Sequence, residues 1–408
     1  MKKLVWLLML CLPFLLLPVA ATAAEEVSEE EFAELQTQFE EVSALYHELA
    51  AKLAELEAKQ EEVKPLPSWA ENVKLSGDLR YRFEHINKEG KKSRNRERVR
   101  ARIALDGKVN DQLGIKIRLA SGSDDPVSTN QTLDGAFSSK HIWFDRAYFD
   151  WHPNDNVSVW GGKMKNPFHD SGDGLIWDGD LNPEGIALLL EGTGDTHPFL
   201  TAAHLWADER KAAADARLVG AQCGIKSGGK NTKVVAGLGY YAYTNVEGEK
   251  VLVDAEDGFG NSTIPDSDPN VSDLYYATGF REFEVFADLS TKLGDIPFKL
   301  YGDYVTNTDA PTDDRGWLFG AKFGKAKTPG DWEFKYNYRK LEADAVLGAF
   351  CDSDFIGGGT DGKGHKFSVA VALAKHTTAG ITYFINDAGL TAGKNYRRWQ
   401  IDFKYKFK

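Results

Sequence analysis

The chain of 408 residues carries 49 Lys and Arg against 61 Asp and Glu, a formal charge of −12 at pH 7, which argues against nucleic acid as a partner. Its three cysteines form no Cys-rich metal motif. No apolar run of about 18 residues follows residue 24, so no helix in the sequence spans a membrane.

Residues 1–24 read as an export signal: Lys2 and Lys3 precede the apolar run Leu4 to Val19, and Ala21, Thr22, Ala23 and Ala24 supply a small-residue cleavage site. Cleavage takes the formal charge from −12 to about −14. Cys11 lies in the apolar run without small residues before it, which weakens a lipoprotein reading.

Residues 25–64 follow a different pattern. Phe32, Leu35, Phe39, Val42, Tyr46, Leu49, Leu53 and Leu56 alternate spacings of three and four, a heptad seam with Glu and Lys elsewhere. The segment has no glycine and stops before Pro65 and Pro67, in a linker over 65–72. A helix of this length extends roughly 50 Å and is too charged to span lipid. Two readings stay open for it, a periplasmic coiled coil joining protomers and a single amphipathic helix folded against the base of the next domain.

From Val73 to the end the period changes to two. Val73, Leu75, Gly77, Leu79, Tyr81 and Phe83 share one face, while Lys74, Ser76, Asp78, Arg80, Arg82 and Glu84 share the other; only a strand sorts residues this way. Val99, Ala101, Ile103, Leu105 and Val109 then stand against Arg98, Arg100, Arg102, Asp106 and Lys108, and Ile115, Ile117 and Leu119 against Lys116 and Arg118. Further strands are expected near 142–152, 156–165, 184–192, 198–207, 213–226, 232–244, 282–293, 296–306, 315–325, 330–342, 363–374, 377–386 and 396–407, roughly sixteen in all. Tight turns such as Asn110-Asp111 and Gly294-Asp295 alternate with long gaps over 122–141, 166–183, 245–281 and 343–362. That rhythm predicts an all-β membrane protein, an antiparallel transmembrane β-barrel over 73–408 in contact with outer-membrane lipid, with short turns in the periplasm and long loops outside. The mean hydropathy of −0.40 does not oppose this, because a barrel places its apolar residues at every second position. A soluble sandwich or lectin shares the composition but has no reason to sort its loops by side.

Trp399, Ile401, Phe403, Tyr405 and Phe407 occupy alternate positions of the final strand, an assembly signal of the kind read by the barrel assembly machinery. Lys408 follows Phe407, whereas many such chains end on the aromatic residue itself.

Two stretches carry a family resemblance: Gly161-Gly162-Lys163-Met164-Lys165-Asn166-Pro167-Phe168, and Trp177-Asp178-Gly179-Asp180-Leu181-Asn182-Pro183-Glu184-Gly185, preceded by Asp145-Arg146-Ala147-Tyr148-Phe149-Asp150-Trp151. With these the chain resembles the putative porin family of Gram-negative bacteria, whose members place a heptad helix before the barrel and are distantly similar to phosphate-selective porins. The resemblance covers nearly the whole mature chain. It implies an outer-membrane passive diffusion channel for small hydrophilic solutes and a homotrimer, and it names no solute.

The wall of such a channel is read from the polar faces. Arg80, Arg82, Arg98, Arg100, Arg102, Lys116 and Arg118 are expected to line the lumen on the first three strands. Guanidinium groups stay charged and present planar donors to carboxylate or phosphate. The third external loop, 166–183, carries Asp170, Asp173, Asp178 and Asp180, with Glu184 just beyond; the resemblance to porins implies that it folds inward to narrow the channel. Opposed rows of charge would set a transverse field across a mixed-charge constriction. The opposite reading stays open: Asp78, Glu84 and Asp106 pair with the arginines and merely brace the wall. Seven cations on three strands favour anions, whereas Glu282, Glu284 and Asp288 face the lumen from a later strand.

No P-loop, nucleophile elbow or His-Glu-rich helix occurs, so neither enzyme chemistry nor a cofactor is expected. His141, His152 and His169 match no metal spacing, and the acidic loops at Asp254–Asp257 and Asp266–Asp268 lack the EF-hand order. Cys223 and Cys351 fall in a strand and a long loop and are not expected to pair. Two classes of function remain: a diffusion porin for small hydrophilic or anionic solutes, and a structural outer-membrane protein that tethers the envelope through its coiled coil.

Overall fold

The computed structural model describes residues 29–61, 71–229 and 231–407. The expected signal over 1–24 and linker positions 65–70 lie outside the described residues. The helix and the barrel belong to separate compact units.

Helix α1 spans Glu29–Glu61, 33 residues. Glu48 and Lys52 stand one turn apart and pair at 2.7 Å in the favourable order, acid before base. Phe39, Val42, Tyr46 and Leu49 of the predicted seam are exposed, Phe39 by 75%. These four positions follow the three-and-four spacing that places them on one face of the helix.

The second unit contains β1 (Val73–Lys88), β2 (Arg94–Lys108), β3 (Leu113–Ser121), β4 (Gln131–Thr132), β5 (Ile142–Asn154), β6 (Val157–Lys163), β7 (Glu184–Glu191), β8 (Thr196–Asp208), β9 (Ala216–Gly228) and β10 (Lys233–Thr244). It continues with β11 (Thr263–Pro265), β12 (Leu274–Tyr276), β13 (Phe280–Leu293), β14 (Ile296–Asn307), β15 (Arg315–Gly324), β16 (Trp332–Leu341), β17 (Gly362–Ala374), β18 (Thr377–Ala388) and β19 (Lys394–Phe407). Strands β4, β11 and β12 belong to loops; the other sixteen pair in antiparallel succession. β19 returns to β1, from Gly77 opposite Phe407 to Lys88 opposite Tyr396, and closes the barrel. Closure leaves no unpaired edge, which the lipid interior demands.

The sixteen segments expected from period-two patterning all appear, with shifted ends. β1 runs on to Lys88, because His85 and Ile86 keep pairing with Asn95 and Arg94 of β2. Leu75, Leu79, Tyr81, Ile103, Leu105 and Ile115 are exposed, while Arg80, Arg82 and Glu84 are buried, Glu84 completely. The barrel is thus inverted relative to a soluble protein, apolar on its outer surface and charged within. Trp399, Ile401, Phe403, Tyr405 and Phe407 stand on the outer face of β19. No helix among the described residues is long and apolar enough to cross a membrane.

Candidate functional site: the lumen and its constriction

Inward-facing positions of β1 and β2 build the basic wall, but each cation has a specific partner. Arg100 and Arg102 share the Asp78 carboxylate at 2.9 and 2.8 Å, one on each oxygen. Arg96 and Arg398 both reach Glu84 at 2.5 Å, with Arg98 at 3.7 Å. Arg82 lays Nε and Nη2 against Asp402 at 2.7 and 3.0 Å, across the closing seam. Arg80 donates to the Asn130 side chain and Arg98 to its carbonyl, at 3.1 Å for Arg98. Lys116 stands 3.9 Å from Asp106 and 4.0 Å from Asp150.

A bulge completes the wall on β5. Arg118 lies opposite Arg146 and Leu119 opposite Phe144, so Asp145 is the extra residue. An extra residue breaks the alternation, and Asp145 joins Arg146 on the inner side. There Asp145 pairs with Arg118, and Asn182 donates to Asp145 at 2.8 Å while accepting from Arg146 at 2.7 Å.

The loop between β6 and β7, residues 164–183, folds inward. Gly162, next to last in β6, has φ 123°, a left-handed conformation that glycine adopts without strain. Met164 donates its N–H to the Pro183 carbonyl at 2.8 Å and closes the loop's base. From there the loop visits three sectors of the wall. His169 and Ser171 reach Asp288 of β13 at 2.8 and 2.7 Å. Asp173 accepts from Asn337 of β16 at 2.7 Å and pairs with Lys366 of β17 at 2.9 Å. Asp180 pairs with Arg102 at 3.2 Å and lies 3.9 Å from Arg100.

Between these anchors the loop buries a dry cluster. Phe168 stacks on Trp177 at 5.3 Å, and Tyr241 of β10 stands edge-on to both at 4.9 and 4.6 Å. Gly220 makes room: a Cβ there would sit 2.9 Å from the Phe168 ring. Leu175, Ile176, Val346 and Leu347 join the cluster. The last two come from the 342–361 loop, which also folds inward, and its Leu347 N–H donates to Glu282 at 3.0 Å. The two loops clasp where Asp178 N–H meets the Phe350 carbonyl at 2.8 Å and Ser353 N–H meets the Asp178 carboxylate at 2.9 Å.

The electrostatics of these loop acids differ with their neighbours. Burial alone would raise Asp173, but Lys366, Lys335 and Arg339 override it and hold the carboxyl well below the usual range. Asp180 is likewise lowered, against burial, by Arg100, Arg102 and Arg80. Asp178 goes the other way: burial, then the nearby Asp352 carboxylate, push it well above the usual range.

Of the predicted loop acids, Asp180 meets the predicted cations Arg100 and Arg102, in direct contact rather than across open water, whereas Asp173 pairs with Lys366 and Asp178 accepts from backbone N–H groups. Asp170 accepts from the Gly174 N–H at 2.9 Å, and Glu184 pairs with Lys163 at 2.8 Å beside the loop. Glu282 and Glu284 face inward but lie beneath the loops, with Glu284 accepting from Tyr241 at 2.7 Å and Gln222 at 3.0 Å. Sequence reasoning missed Arg96, Arg146, Arg339, Lys366, Arg398 and Asp402 on the wall, and Asp352 and Asp354 on the second loop. Arg398, Asp402 and Lys404 alternate with the aromatic residues of the last strand, so the signal for that part was present. The other sequence candidates settle elsewhere: His152 pairs with Asp150 at 2.7 Å and His141 stacks near Trp143 at 5.8 Å. Asp254, Asp257, Asp266 and Asp268 cap backbone N–H groups of their own turns. Cys223 is exposed and Cys351 buried, both free. No group of three His, Cys, Asp or Glu among the described residues is arranged to hold a metal ion. A cavity of about 1530 Å³ at the long-loop end is lined by Arg96, Arg98, Arg398, Ser128, Ser353 and Thr360, among others.

Known structures share this architecture. OprB of Pseudomonas putida, in its high-pH structure, is 11% identical with a TM-score of 0.55, over 83% of this chain and 95% of that one. A triple mutant of the Rhodopseudomonas blastica porin is 10% identical over 82% and 100% at a TM-score of 0.48. OmpT of Vibrio cholerae, in its trimer form, is 12% identical over 82% and 99% at 0.49. Comparison with curated proteins finds no match. The family described as "Putative porin" matches residues 86–267 and 267–407; the chain, with its closed barrel, apolar exterior and charged, loop-constricted lumen, belongs to that family.

Proposed function

We propose that the protein is an outer-membrane diffusion channel for small hydrophilic or ionic solutes, with selectivity set where the 164–183 loop meets the basic wall. The observation that carries the reading is the inversion of the barrel: aliphatic and aromatic side chains stand outside, and a charged lining stands inside. Asp78, Asp180, Arg100 and Arg102 remain in part exposed to the lumen, which suits a narrow, mixed-charge eyelet. Arg80, Arg82, Arg98, Arg118 and Lys116 form its basic arc, with Asp170, Asp173 and Asp178 on the loop side. The heptad spacing of α1, with Phe39, Val42, Tyr46 and Leu49 exposed, favours a coiled coil that joins protomers in the periplasm, three in number, with the outer face of β19 read during assembly. Purified protein inserted in planar bilayers should give stepwise conductance. Silence after verified folding removes the reading.

One observation favours a second function. The dry cluster formed by the 164–183 and 342–361 loops fills part of the lumen, as expected of a plugged barrel that serves as an envelope tether. Deleting residues 29–61 separates the two: a tether loses envelope integrity in cells, whereas a pore loses mainly oligomer stability.

A further inference from the structure

We propose that Arg82 and Arg398 form a binding subsite for small carboxylate solutes, and that Asp354 of the 342–361 loop occupies it here as an internal stand-in. The inference rests on the channel reading and adds a solute class to it.

Both guanidiniums are held from behind by wall residues. Arg82 gives Nε and Nη2 to Asp402. Arg398 gives Nε to Glu84 at 3.1 Å and places Nη2 at 2.5 Å from the same acid. Their forward edges converge on one carboxylate: Arg82 Nη1 lies 3.1 Å from Asp354 Oδ2, and Arg398 Nη2 lies 2.8 Å from Asp354 Oδ1. Each guanidinium gives one nitrogen to one oxygen, so the pair clamps the two carboxylate oxygens from two sides with charge-assisted bonds. The two arginines are 4% and 2% exposed, so their donors are fixed before any solute arrives.

Asp354 is not part of the wall. It follows the loop's buried stretch and precedes Gly357, Gly358 and Gly359, all left-handed, at φ 97, 109 and 84°. The anchors of the loop's first half, Leu347 on Glu282 and Gly348 on Asn261, lie upstream. Nearer Asp354 the loop is tied by Ser353 N–H on Asp178 and by the Ser353 and Asp354 carbonyls on Arg398 Nη1 at 3.4 Å, so a solute that displaces Asp354 releases those bonds while the dry cluster stays in place. The Asp354 side chain is 21% exposed, and Arg398 and Ser353 line the outer cavity, which gives a solute an approach. Charge also favours a guest: Arg80, Arg82, Arg96, Arg98, Arg398 and Lys404 gather around Glu84, Asp402 and Asp354. The two arginines hold the Asp354 carboxyl, against its burial, well below the usual range, as they would a bound solute.

The test uses the full chain in planar bilayers and, separately, in detergent by calorimetric titration. Replacing Asp354→Asn removes the internal competitor, and the malonate concentration that halves the single-channel current should fall about tenfold, the change that follows when Asp354 holds the site about nine-tenths of the time. Inorganic phosphate, tetrahedral rather than planar, should gain less. Equal gains for both overturn the carboxylate assignment, and unchanged half-blocking concentrations overturn the subsite. A silent channel that still binds malonate tenfold tighter by titration removes the porin reading and leaves the subsite standing. Should the variant not fold, the unaltered protein decides: saturating malonate must speed amide exchange at residues 353–359, and its absence refutes the displacement.

Discussion

Truncation of Trp177 to Ala tests whether the inward loop is a separately stable unit riding on the barrel. The indole is buried, stacks on Phe168, stands edge-on to Tyr241 and donates to Tyr243 at 3.3 Å. An aromatic side chain of this size buries about 150–250 Å², which at ~25 cal/mol per Å² is about 4–6 kcal/mol. Measured truncations of buried Trp cost about 3–5 kcal/mol. None of this involves a strand ladder, and Ser171, Asp173 and Asp180 keep their separate anchors on the wall. The loss should therefore appear as easier local opening of residues 164–183, not as failure of the barrel. Amide exchange at Gly174, Asp178 and Leu181, whose N–H groups are bonded within the clasp, should accelerate by about 10²–10⁴. Amides of β10 and β13 should hold their rates. If the strand amides accelerate as much as the loop, or the loop does not respond, the loop is not the independent unit described.

Replacing Arg98, Arg100 and Arg102 with Gln should lower the anion to cation permeability ratio from reversal potentials; an unchanged ratio marks them as braces. Glu84→Ala leaves Arg96 and Arg398 buried without their shared acid, a loss of about 3–5 kcal/mol, read as a lower temperature for the shift of the folded band on electrophoresis. Lowering pH should act on the loop in two stages. Asp178, raised, is less repelled by Asp352 once protonated, so current noise should first decrease as pH falls toward the ordinary carboxylate range. Asp173, Asp180 and Asp354, all lowered, contribute stability that is full above about pH 4. That contribution is lost as pH falls through their depressed values, and noise should rise again; a monotonic profile excludes this assignment. Peptide 29–61 should associate in solution through Phe39, Val42, Tyr46 and Leu49, and a monomer by sedimentation refutes the coiled coil.

The barrel was legible because each strand is half in lipid and half in water, so period-two patterning is enforced at nearly every position. Its sixteen strands follow from alternation and gap length, whereas the inward third loop was expected from the resemblance to porins. The pairing inside was not legible. Arg82 and Asp402 stand 320 residues apart in sequence, and only closure of the cylinder makes them neighbours. Asp145 escaped because a bulge shifts the alternation by one residue, and no residue in that stretch announces it. The role of the 342–361 loop escaped for another reason: Ala345, Val346 and Leu347 read as an apolar loop fragment, and what they bury against is supplied by Ile176, Trp177 and Tyr243 from distant segments. The loop acids were recognised as a group, but composition does not distinguish a carboxylate facing open water from one locked onto a guanidinium.

The seam between β1 and β19 has a consequence for biogenesis. The counter-ions of Arg82 and Arg398 lie on opposite sides of that junction, so a partly zipped sheet holds Arg82 on its first ribbon without Asp402 and Arg398 on its last without Glu84. Such an intermediate is penalised until the final hairpin arrives, and docking relieves every unmatched group at once. Completion is thereby made all-or-none, a built-in quality check on each newly inserted cylinder.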